Sequence, residues 1–379
     1  MARVVVLGGG FGGIAAATRL RELLPRSDEV ILVDRRRDFV MGLRKTWAVV
    51  GSHPLEDGVR PLSRLADRGI EVIEAAIEAI DPAAHAVRLA NRSLDGDALV
   101  VALGAEQAPE QVPGLVEHGI NVWDRAEAGR AHAALEGLAG GRLVVGVFGL
   151  PYACPPGPFE LALLANERLA ARGVPASVEV FAPMPIALPV VGATESAKIE
   201  ALLAAAGVAF LRGRRAVEVR DSTVRFAGGE ERPFDLLFAV PPHRCPGVLV
   251  EAGLAAPGGW VAVDPRTLAT PFPGVYAVGD CTAIMLAHGL PLPKAGVFAE
   301  AEGYVAAEWI AAELAGTSSH AAFAGEGVCY AEVGGQRAAQ VRGRFLADPP
   351  EISVLEPSVG AVEAKASFET ARLVSWFGG

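Results

Sequence analysis

The sequence of 379 residues is poor in cysteine and in aromatic residues, and it carries no excess of positive charge. Four cysteines are too few and too scattered for a secreted scaffold that disulfide bonds hold together. The 44 acidic residues outnumber the 34 lysines and arginines, and the formal charge of −10 argues against nucleic acid as a partner. No apolar run approaches the roughly 20 residues that a membrane-spanning helix needs.

We expect no leader segment in front of the first predicted strand. Met1-Ala2-Arg3 runs directly into an apolar stretch, so we expect no signal peptide and a cytoplasmic location. A peripheral position on the inner face of a membrane is left open, and so is a homodimer. The chain is rich in glycine and proline, with 44 and 27 residues, and 51% of it is hydrophobic. This composition is typical of a globular α/β protein with many tight turns.

A glycine-rich motif follows the first predicted strand, Arg3 to Leu7. The motif, GGGFGG, leads into an alanine-rich stretch that is predicted to be a helix, and the next strand ends at an acidic residue. In this arrangement the glycines permit a tight turn, close approach of the backbone to a pyrophosphate, and packing of the helix on the strand, while the acid binds ribose. The predicted contacts of the dinucleotide are Gly8, Gly10, Phe11, Gly12, Gly13, Asp34 and Arg35.

Two later stretches indicate which dinucleotide is bound. Asp97 to Gly104 is an apolar strand that ends in a small turn, and Gly274 to Asp280 is a strand that ends in Gly-Asp. Flavoproteins with two dinucleotide-binding domains contain both features, and this resemblance implies FAD. The additional FAD contacts that we predict are Ala76, beside the adenine, Gly104, Gly279 and Asp280. No metal site is predicted.

A second unit, residues 142–240, has the layout of a nucleotide-binding domain but lacks the glycines of the first. Alternating strands and helices predict a parallel sheet. The turn after its first strand reads GLPYAC and has no second or third glycine. Its prolines remove backbone donors that a pyrophosphate would need, so we expect nicotinamide binding to be poor or absent here. The predicted elements are Leu143–Phe148, Phe159–Arg172, Ser177–Phe181, Thr194–Ala206 and Val208–Phe210.

Two further segments hold candidate residues for the flavin site. Lys294 precedes a predicted helix, and its charge and the helix dipole could stabilise a reduced flavin, with a surface lysine as the alternative. The insertion from Arg35 to Ser63 is rich in loops, and its spacing does not decide which side chains face the flavin. Its candidates are Met41, Arg44, Lys45 and Trp47.

The C-terminal part departs from the alternating pattern. Gly327–Val333 and Ala338–Leu346 are predicted strands, and Ser367–Phe377 is a predicted amphipathic helix. An ordinary docking helix and a membrane-surface or quinone-mouth element are both compatible with it. The apolar residues near one side of this helix are Phe368, Leu373, Trp376 and Phe377.

The motifs together resemble one family. The chain is similar to the sulfide-oxidising disulfide flavoproteins, which comprise the sulfide:quinone oxidoreductases and the flavoprotein subunit of flavocytochrome c sulfide dehydrogenase. The residues that carry the resemblance are Cys154–Glu160 (CPPGPFE), Gly259-Trp260 with Val263-Asp264 and Arg266-Thr267, Val278–Asp280, Pro293-Lys294 and Cys329-Tyr330.

The resemblance implies roles for three residues. Cys154 and Cys329 would be a redox pair on the flavin, and Glu160 the acid–base residue. Lys294 is predicted as a fourth catalytic residue from its charge and its place before a helix. Sulfide would attack one sulfur of the pair to give a persulfide, and two electrons would pass to FAD. Because Cys154 precedes a predicted helix N-terminus, we expect a lowered thiol pKa and a nucleophile near neutral pH.

The electron acceptor is less well specified by these motifs. Quinone-linked members commonly have a third cysteine and histidines near the sulfide entry, which we do not find in the expected stretches. A flavocytochrome-like attachment of FAD needs a cysteine near the position of Met41, so we expect the FAD to be non-covalent. Our first hypothesis is sulfide or thiol/persulfide oxidation with quinone as acceptor. An NAD(P)H:quinone-type dehydrogenase, a flavocytochrome-like subunit and a non-turnover flavin redox sensor remain alternatives.

The predicted fold class is α/β, with two Rossmann-like FAD/NAD(P)-type domains and a small C-terminal α+β region. Residues 1–108 with 241–317 would form a discontinuous FAD domain, and residues 109–240 would form the second domain, which contains Cys154. Residues 318–379 would form an interface or acceptor region.

Overall fold

The computed structural model describes residues 1–378. Its α-helices are α1 (Phe11–Leu23), α2 (Leu43–Val50), α3 (Leu115–His118), α4 (Ala128–Gly137), α5 (Gly157–Ala171), α6 (Gly192–Ala205), α7 (Gly247–Glu251), α8 (Gly296–Leu314) and α9 (Val359–Phe377). The strands before residue 140 are β1 (Arg3–Leu7), β2 (Glu29–Asp34), β3 (Asp38–Phe39), β4 (Arg60–Pro61), β5 (Glu71–Glu74), β6 (Ile77–Asp81), β7 (Ala86–Leu89), β8 (Ser93–Asp95), β9 (Ala98–Val101), β10 (Glu106–Gln107) and β11 (Ile120–Asn121). The later strands are β12 (Gly141–Val147), β13 (Ala176–Ala182), β14 (Ala209–Arg212), β15 (Ala216–Arg220), β16 (Thr223–Phe226), β17 (Glu231–Pro233), β18 (Leu236–Val240), β19 (His243–Arg244), β20 (Val261–Ala262), β21 (Val275–Ala277), β22 (Thr282–Ala283), β23 (Glu326–Gly334), β24 (Arg337–Arg344) and β25 (Glu351–Ser358).

The first sheet has five parallel strands in the order β21-β9-β1-β2-β5. Its central strand β1 is flanked on both sides, with Val6 opposite Leu32 of β2 and Val100 of β9. Both faces of such a strand are covered, which explains the apolar sequence of β1. Because all strands run the same way, the segments after β1, β2, β9 and β21 meet at one edge of the sheet, where α/β proteins bind their ligands.

The second sheet is also parallel, in the order β11-β18-β12-β13-β14. The βαβαβ pattern predicted for residues 142–240 is therefore present, with element ends that differ by one or two residues from the prediction. Helices α5 and α6 connect the strands, and the apolar side of α5 packs into the core of this unit. The segment between β12 and α5 contains Cys154 and lies at the carboxyl edge of this second sheet.

The C-terminal part forms a three-stranded antiparallel sheet, β23-β24-β25, followed by α9. The strand β25 was not predicted, and α9 begins at Val359 rather than at Ser367. Ser358 determines this start, because its side-chain oxygen accepts a hydrogen bond from the backbone N–H of Ala361 at 3.2 Å. The first turns of α9 contain few large apolar residues, so their periodicity gave no signal.

The α/β fold class is confirmed. Each of the three sheets described above lies within one of the three predicted segments. The boundaries of the segments remain a prediction, and the last residue of the third segment, Gly379, lies outside the described residues. Within residues 1–378, no helix combines the length and the apolar character that crossing a membrane requires.

Candidate active site

The turn between β1 and α1 has room for a ligand at one glycine only. Gly8 has a φ of +109°, and a Cβ there would lie 2.2 Å from the carbonyl oxygen of Ala102. A Cβ on Gly13 would lie 1.8 Å from the carbonyl oxygen of Gly8, and one on Gly12 would press on Val278, so these glycines serve the packing of α1. Gly10 faces open space. The N-terminus of α1 also has no side-chain cap, which leaves its N–H groups for an anion.

Phe11 contributes to this turn through its backbone rather than through its ring. The ring lies 5.5 Å from Phe39 and 5.5 Å from Trp376, in edge-on arrangements, and 6.5 Å from Phe368. Its side chain therefore packs into a cluster that α9 completes, and the predicted cofactor contact is left to the N–H of Phe11.

Asp34 ends β2 beside the glycine turn, as the fingerprint requires. Its carboxylate accepts hydrogen bonds from the backbone N–H of Gly9 at 2.6 Å and from that of Arg36 at 2.7 Å. Arg35 is exposed, and Ala76 is exposed next to Ala75, whose N–H donates to the carbonyl of Asp34. These residues lie together at the position where the ribose and adenine of a dinucleotide bind in this fold.

The segment after β21 provides a second buried polar group. Gly279 has a φ of +76°, and its N–H donates to Glu302 at 2.5 Å. Lys294 donates from Nζ to the carbonyls of Asp280 and Thr282, at 2.5 and 3.2 Å. The same Nζ lies 3.4 Å from the ring centroid of Trp260, so the ammonium holds the Gly279–Thr282 turn in place.

Burial is the largest cause of the pKa shifts of Asp280, Lys294 and Glu302. It raises the pKa of the Asp280 carboxyl, against the opposing effect of Lys294, and it lowers the pKa of Lys294 itself. Burial also raises the pKa of Glu302 to about 7. The catalytic role of Lys294 stays a prediction. In the structure its Nζ contacts two carbonyls and an indole ring.

Cys154 is joined directly to this cofactor segment. Its backbone N–H donates to the carbonyl of Lys294 at 2.8 Å, and Ala153 and Lys294 form an isolated parallel bridge. The φ of Cys154 is +58°, an uncommon conformation for a residue other than glycine. The Nε1 of Trp123 donates to the carbonyl of Ala153 at 2.8 Å and fixes the other side of the segment. The turn from the second sheet thus presents a thiol at the edge of the first.

The expected low pKa of Cys154 is wrong for the dithiol state that the structure shows. The residue is open to solvent on one side, yet the protein around its Sγ removes enough water to raise the pKa to about 11. Glu160 raises this pKa further, while Lys365, Lys45 and the N–H of Gly157 lower it without offsetting the burial. Helix α5 begins at Gly157, but its first turn alone does not produce a thiolate at neutral pH.

Cys329 lies on β23, which packs against α5. Burial raises its pKa to about 12, and the charges of Cys154 and Glu160 add to this effect. The structure therefore brings Cys154 and Cys329 into one electrostatic environment, although 175 residues separate them in the sequence. Cys154, Cys245, Cys281 and Cys329 are all free thiols.

Glu160 is buried and paired with a lysine that sequence reasoning missed. Lys365 of α9 donates to Glu160, and also to Glu332 of β23 at 2.8 Å. The indole Nε1 of Trp47 donates to the same Glu332 oxygen. Burial raises the pKa of Glu160, and the two carboxylates outweigh burial to raise the pKa of Lys365. The sequence did contain a sign that these two charged residues are buried. Lys365 and Glu369 lie on the same side of the helix as the buried residues Ala361, Leu373 and Trp376.

The candidates of the Arg35–Ser63 insertion separate into two groups. Arg44 forms a two-pronged ion pair with Glu369, at 2.7 Å for each contact, and this ties α2 to α9. Trp47 points towards the Lys365 cluster, and Met41 is buried. Lys45 alone turns towards Cys154, where its Nζ donates to the carbonyl of Trp123 at 2.7 Å.

The apolar side of α9 packs inside the protein. Leu373, Trp376 and Phe377 are buried in the core of the first sheet, and Phe368 is half-buried beside Tyr330 at 6.3 Å. The docking alternative thus accounts for the amphipathic sequence of this helix. Val359 and Val374 are its exposed large apolar residues.

Comparison with known proteins identifies the family. The sequence pattern of the pyridine nucleotide-disulphide oxidoreductases matches residues 2–294. The chain belongs to this family. It is an FAD-dependent oxidoreductase, and the open cradle at Gly10, the uncapped N-terminus of α1 and the buried turn at Asp280 fit that cofactor.

Two curated relatives and one solved structure are similar over most of this chain. A mitochondrial sulfide:quinone oxidoreductase of Mus musculus is 24% identical over 298 residues, which are 74% of this chain and 65% of the relative, slightly under two thirds of its length. A sulfide-quinone reductase of Aquifex aeolicus is 27% identical over 91% of this chain and 83% of the relative. The crystal structure of the sulfide:quinone oxidoreductase from Aquifex aeolicus superposes with a TM-score of 0.91, at 24% identity, and covers 100% of this chain and 92% of the other.

Proposed function

We propose that the protein oxidises sulfide, or a related small thiol or persulfide, at Cys154 and Cys329 and passes two electrons through FAD to a quinone. The observation that carries the proposal is the hydrogen bond from Cys154 to Lys294, because it places a thiol at the cofactor edge of the first sheet. The two relatives whose printed names describe sulfide and quinone as reactants support the same chemistry.

The sulfur step is a thiol–disulfide exchange in the oxidised form of the pair. A hydrosulfide anion attacks one sulfur of the Cys154–Cys329 disulfide, so one S–S bond breaks, a persulfide S–S bond forms and the other cysteine leaves as a thiolate. A second hydrosulfide or a small thiol then takes the outer sulfur of the persulfide, which leaves both cysteines reduced. Bound FAD would supply the two-electron acceptor that returns the two cysteines to the disulfide. Since both thiols have raised pKa values, a nearby base must take their protons, and Glu160 lies beside both.

A buried proton path supports the assignment of Glu160. Its contact with Lys365 and the contact of Lys365 with Glu332 link the thiols to the C-terminal sheet. Quinone reduction consumes protons as well as electrons, and this chain of charged groups offers a route for the protons. We therefore assign proton transfer to this chain of groups, and we assign non-covalent binding to the FAD.

Nicotinamide as the electron donor receives less support. The second sheet has the parallel layout, but α5 starts after Pro155 and Pro156, with Pro158 in its first turn. A pyrophosphate at this helix would meet missing N–H donors and the Cys154 side chain. The second unit therefore serves to hold the thiol rather than a second nucleotide.

An anaerobic titration of the flavin absorption distinguishes these functions. We expect sulfide to bleach the purified flavoprotein rapidly and NADH to bleach it slowly or not at all, and a short-chain quinone to restore the colour. Bleaching by NADH alone would overturn the proposal. Bleaching by neither donor would leave a flavin-bearing sensor as the better description.

A further inference from the structure

Beside Cys154 lies a cation with unused hydrogen-bond donors. The Nζ of Lys45 makes one hydrogen bond within residues 1–378, to the carbonyl of Trp123 at 2.7 Å. An ammonium has three N–H groups, so two of them have no protein acceptor there. Lys45 is half-buried, and a half-buried ammonium with spare donors favours an anion as its partner.

Trp123 links Lys45 to the cysteine. Its carbonyl accepts from Lys45, and its indole Nε1 donates to Ala153, the residue before Cys154. A Cβ on Gly157 would lie 2.9 Å from the Trp123 ring and 3.3 Å from the Sγ of Cys154, so ring and thiol face the same small space. Trp123 thus contacts both the ammonium on α2 and the segment that carries the thiol.

We propose that Lys45 binds the negatively charged sulfur group at Cys154, as the anion-binding residue of the sulfur site. The ammonium would attract an incoming sulfur anion and hold the charge that stays on Cys154 after exchange. This role rests on the proposed function for its physiological ligand, although the attraction of an anion to Cys154 can be measured without sulfide.

The charges around Lys45 favour this assignment. Burial lowers the pKa of Lys45 to about 8, so the side chain is cationic at neutral pH, and the charges of Cys154, Asp124 and Asp280 hold it there while Arg36 opposes them. His243 also lies near Lys45; burial lowers its pKa to about 4, so it stays neutral in the working range. Lys45 is therefore the group of this set that gains or loses its charge near pH 8.

The test uses two alkylating reagents of similar size, of which one is negatively charged and the other is neutral. Iodoacetate is an anion and iodoacetamide is neutral, so the ratio of their rates with Cys154 reports the local cation and cancels the thiolate fraction. The protein is the reduced FAD-loaded Cys329→Ser variant, in which Cys154 cannot form its disulfide. Cys154 labelling is followed by peptide mass spectrometry.

We expect the iodoacetate-to-iodoacetamide ratio at pH 7 to fall about tenfold in Lys45→Gln, which keeps an N–H donor but no charge, and to be retained in Lys45→Arg. In the Cys329→Ser protein itself the ratio should fall as the pH rises through about 8, where Lys45 loses its proton. Gln107→Leu is the matched control, because Gln107 Nε2 donates to the same Trp123 carbonyl at 2.9 Å without carrying charge.

Three results would overturn the inference. An equal fall in Gln107→Leu would show that Lys45 acts only through the position of Trp123. A ratio that changes neither in Lys45→Gln nor with pH would show that no cation acts on the reagent. A Cys154 that neither reagent labels would show that the thiol is not open to an anion. The expected labelling pattern, together with no flavin bleaching by sulfide in the protein with both cysteines, would instead contradict the proposed function and leave Lys45 as an anion site.

Discussion

Replacing Lys365 by methionine should expose how much of the stability depends on one buried cation. The side chain is 2% exposed and neutralises Glu160, which is 3% exposed, as well as Glu332. Removing one partner of a buried ion pair typically costs about 3–5 kcal/mol, because the remaining charge has no compensation. Methionine keeps most of the volume, so packing contributes little to this loss.

The expected loss depends on pH with a definite sign. The pKa of Glu160 is already raised by burial, and loss of Lys365 raises it further. An acid with a raised native pKa contributes stability that is complete below its unfolded pKa and disappears as the pH rises through its native pKa. Lys365→Met should therefore lose less stability at pH 6 than at pH 8, because a rise in pH disfavours the protonated carboxyl that burial favours.

Chemical unfolding of the flavin-loaded protein, followed by circular dichroism and by flavin fluorescence, measures this difference. Lys365→Met with Glu160→Gln should regain part of the stability, because the uncompensated carboxylate is gone. A loss under about 1 kcal/mol at pH 8, or a loss that is equal at both pH values, would refute the view that Glu160 depends on Lys365 for its charge.

The remaining predictions concern the thiols and the flavin. Cys154→Ser and Cys329→Ser should each keep FAD and lose at least about a hundredfold in the rate of sulfide-dependent bleaching, measured by stopped flow; a normal rate in either would contradict the redox pair. Gly10→Val should give a folded but colourless protein, since a side chain there meets no protein atom and fills the cradle, whereas Gly13→Ala should lower the unfolding temperature by clashing with a carbonyl; equal colour and stability in both would be the contrary result. FAD retention on dialysis should fall between pH 6 and pH 8 as Glu302, with its pKa of about 7, ionises beside Asp280, and Glu302→Gln should remove that fall.

Local sequence patterns predicted the parts of the fold that have local causes. The strand–glycine–helix fingerprint at Gly8 to Gly13 predicted the first nucleotide site because each glycine answers a steric need within a few residues. The prolines around Cys154 have an equally local effect, and the poor nicotinamide binding expected from them stays a prediction. Helix α9 was predicted too short, since its first turns depend on the cap at Ser358 rather than on apolar periodicity.

Long-range electrostatics were not readable from the sequence. A low thiol pKa at Cys154 follows from its place before a helix, but the folded chain surrounds the sulfur and places Glu160 nearby, and both raise the pKa. The pairing of Glu160 with Lys365 joins residues 205 positions apart. No periodicity encodes such a contact. A lysine on the apolar side of a predicted helix does indicate that a buried acidic partner lies elsewhere in the chain.

In the second unit, a cysteine and two prolines stand where a nucleotide-binding unit would have its glycine-rich turn. A phosphate cradle needs glycines and free N–H groups, whereas a redox thiol needs a fixed backbone and a nearby base. Pro155 and Pro156 remove donors and restrict the chain, and the bond from Cys154 to Lys294 fixes the turn against the first sheet. Because the thiol has a raised pKa, the proposed function assigns Glu160 to take its proton and Lys45 to hold its charge. In the proposed function, the second unit therefore contributes a fixed thiol at the edge of the first sheet, where a nucleotide-binding unit would present a phosphate cradle.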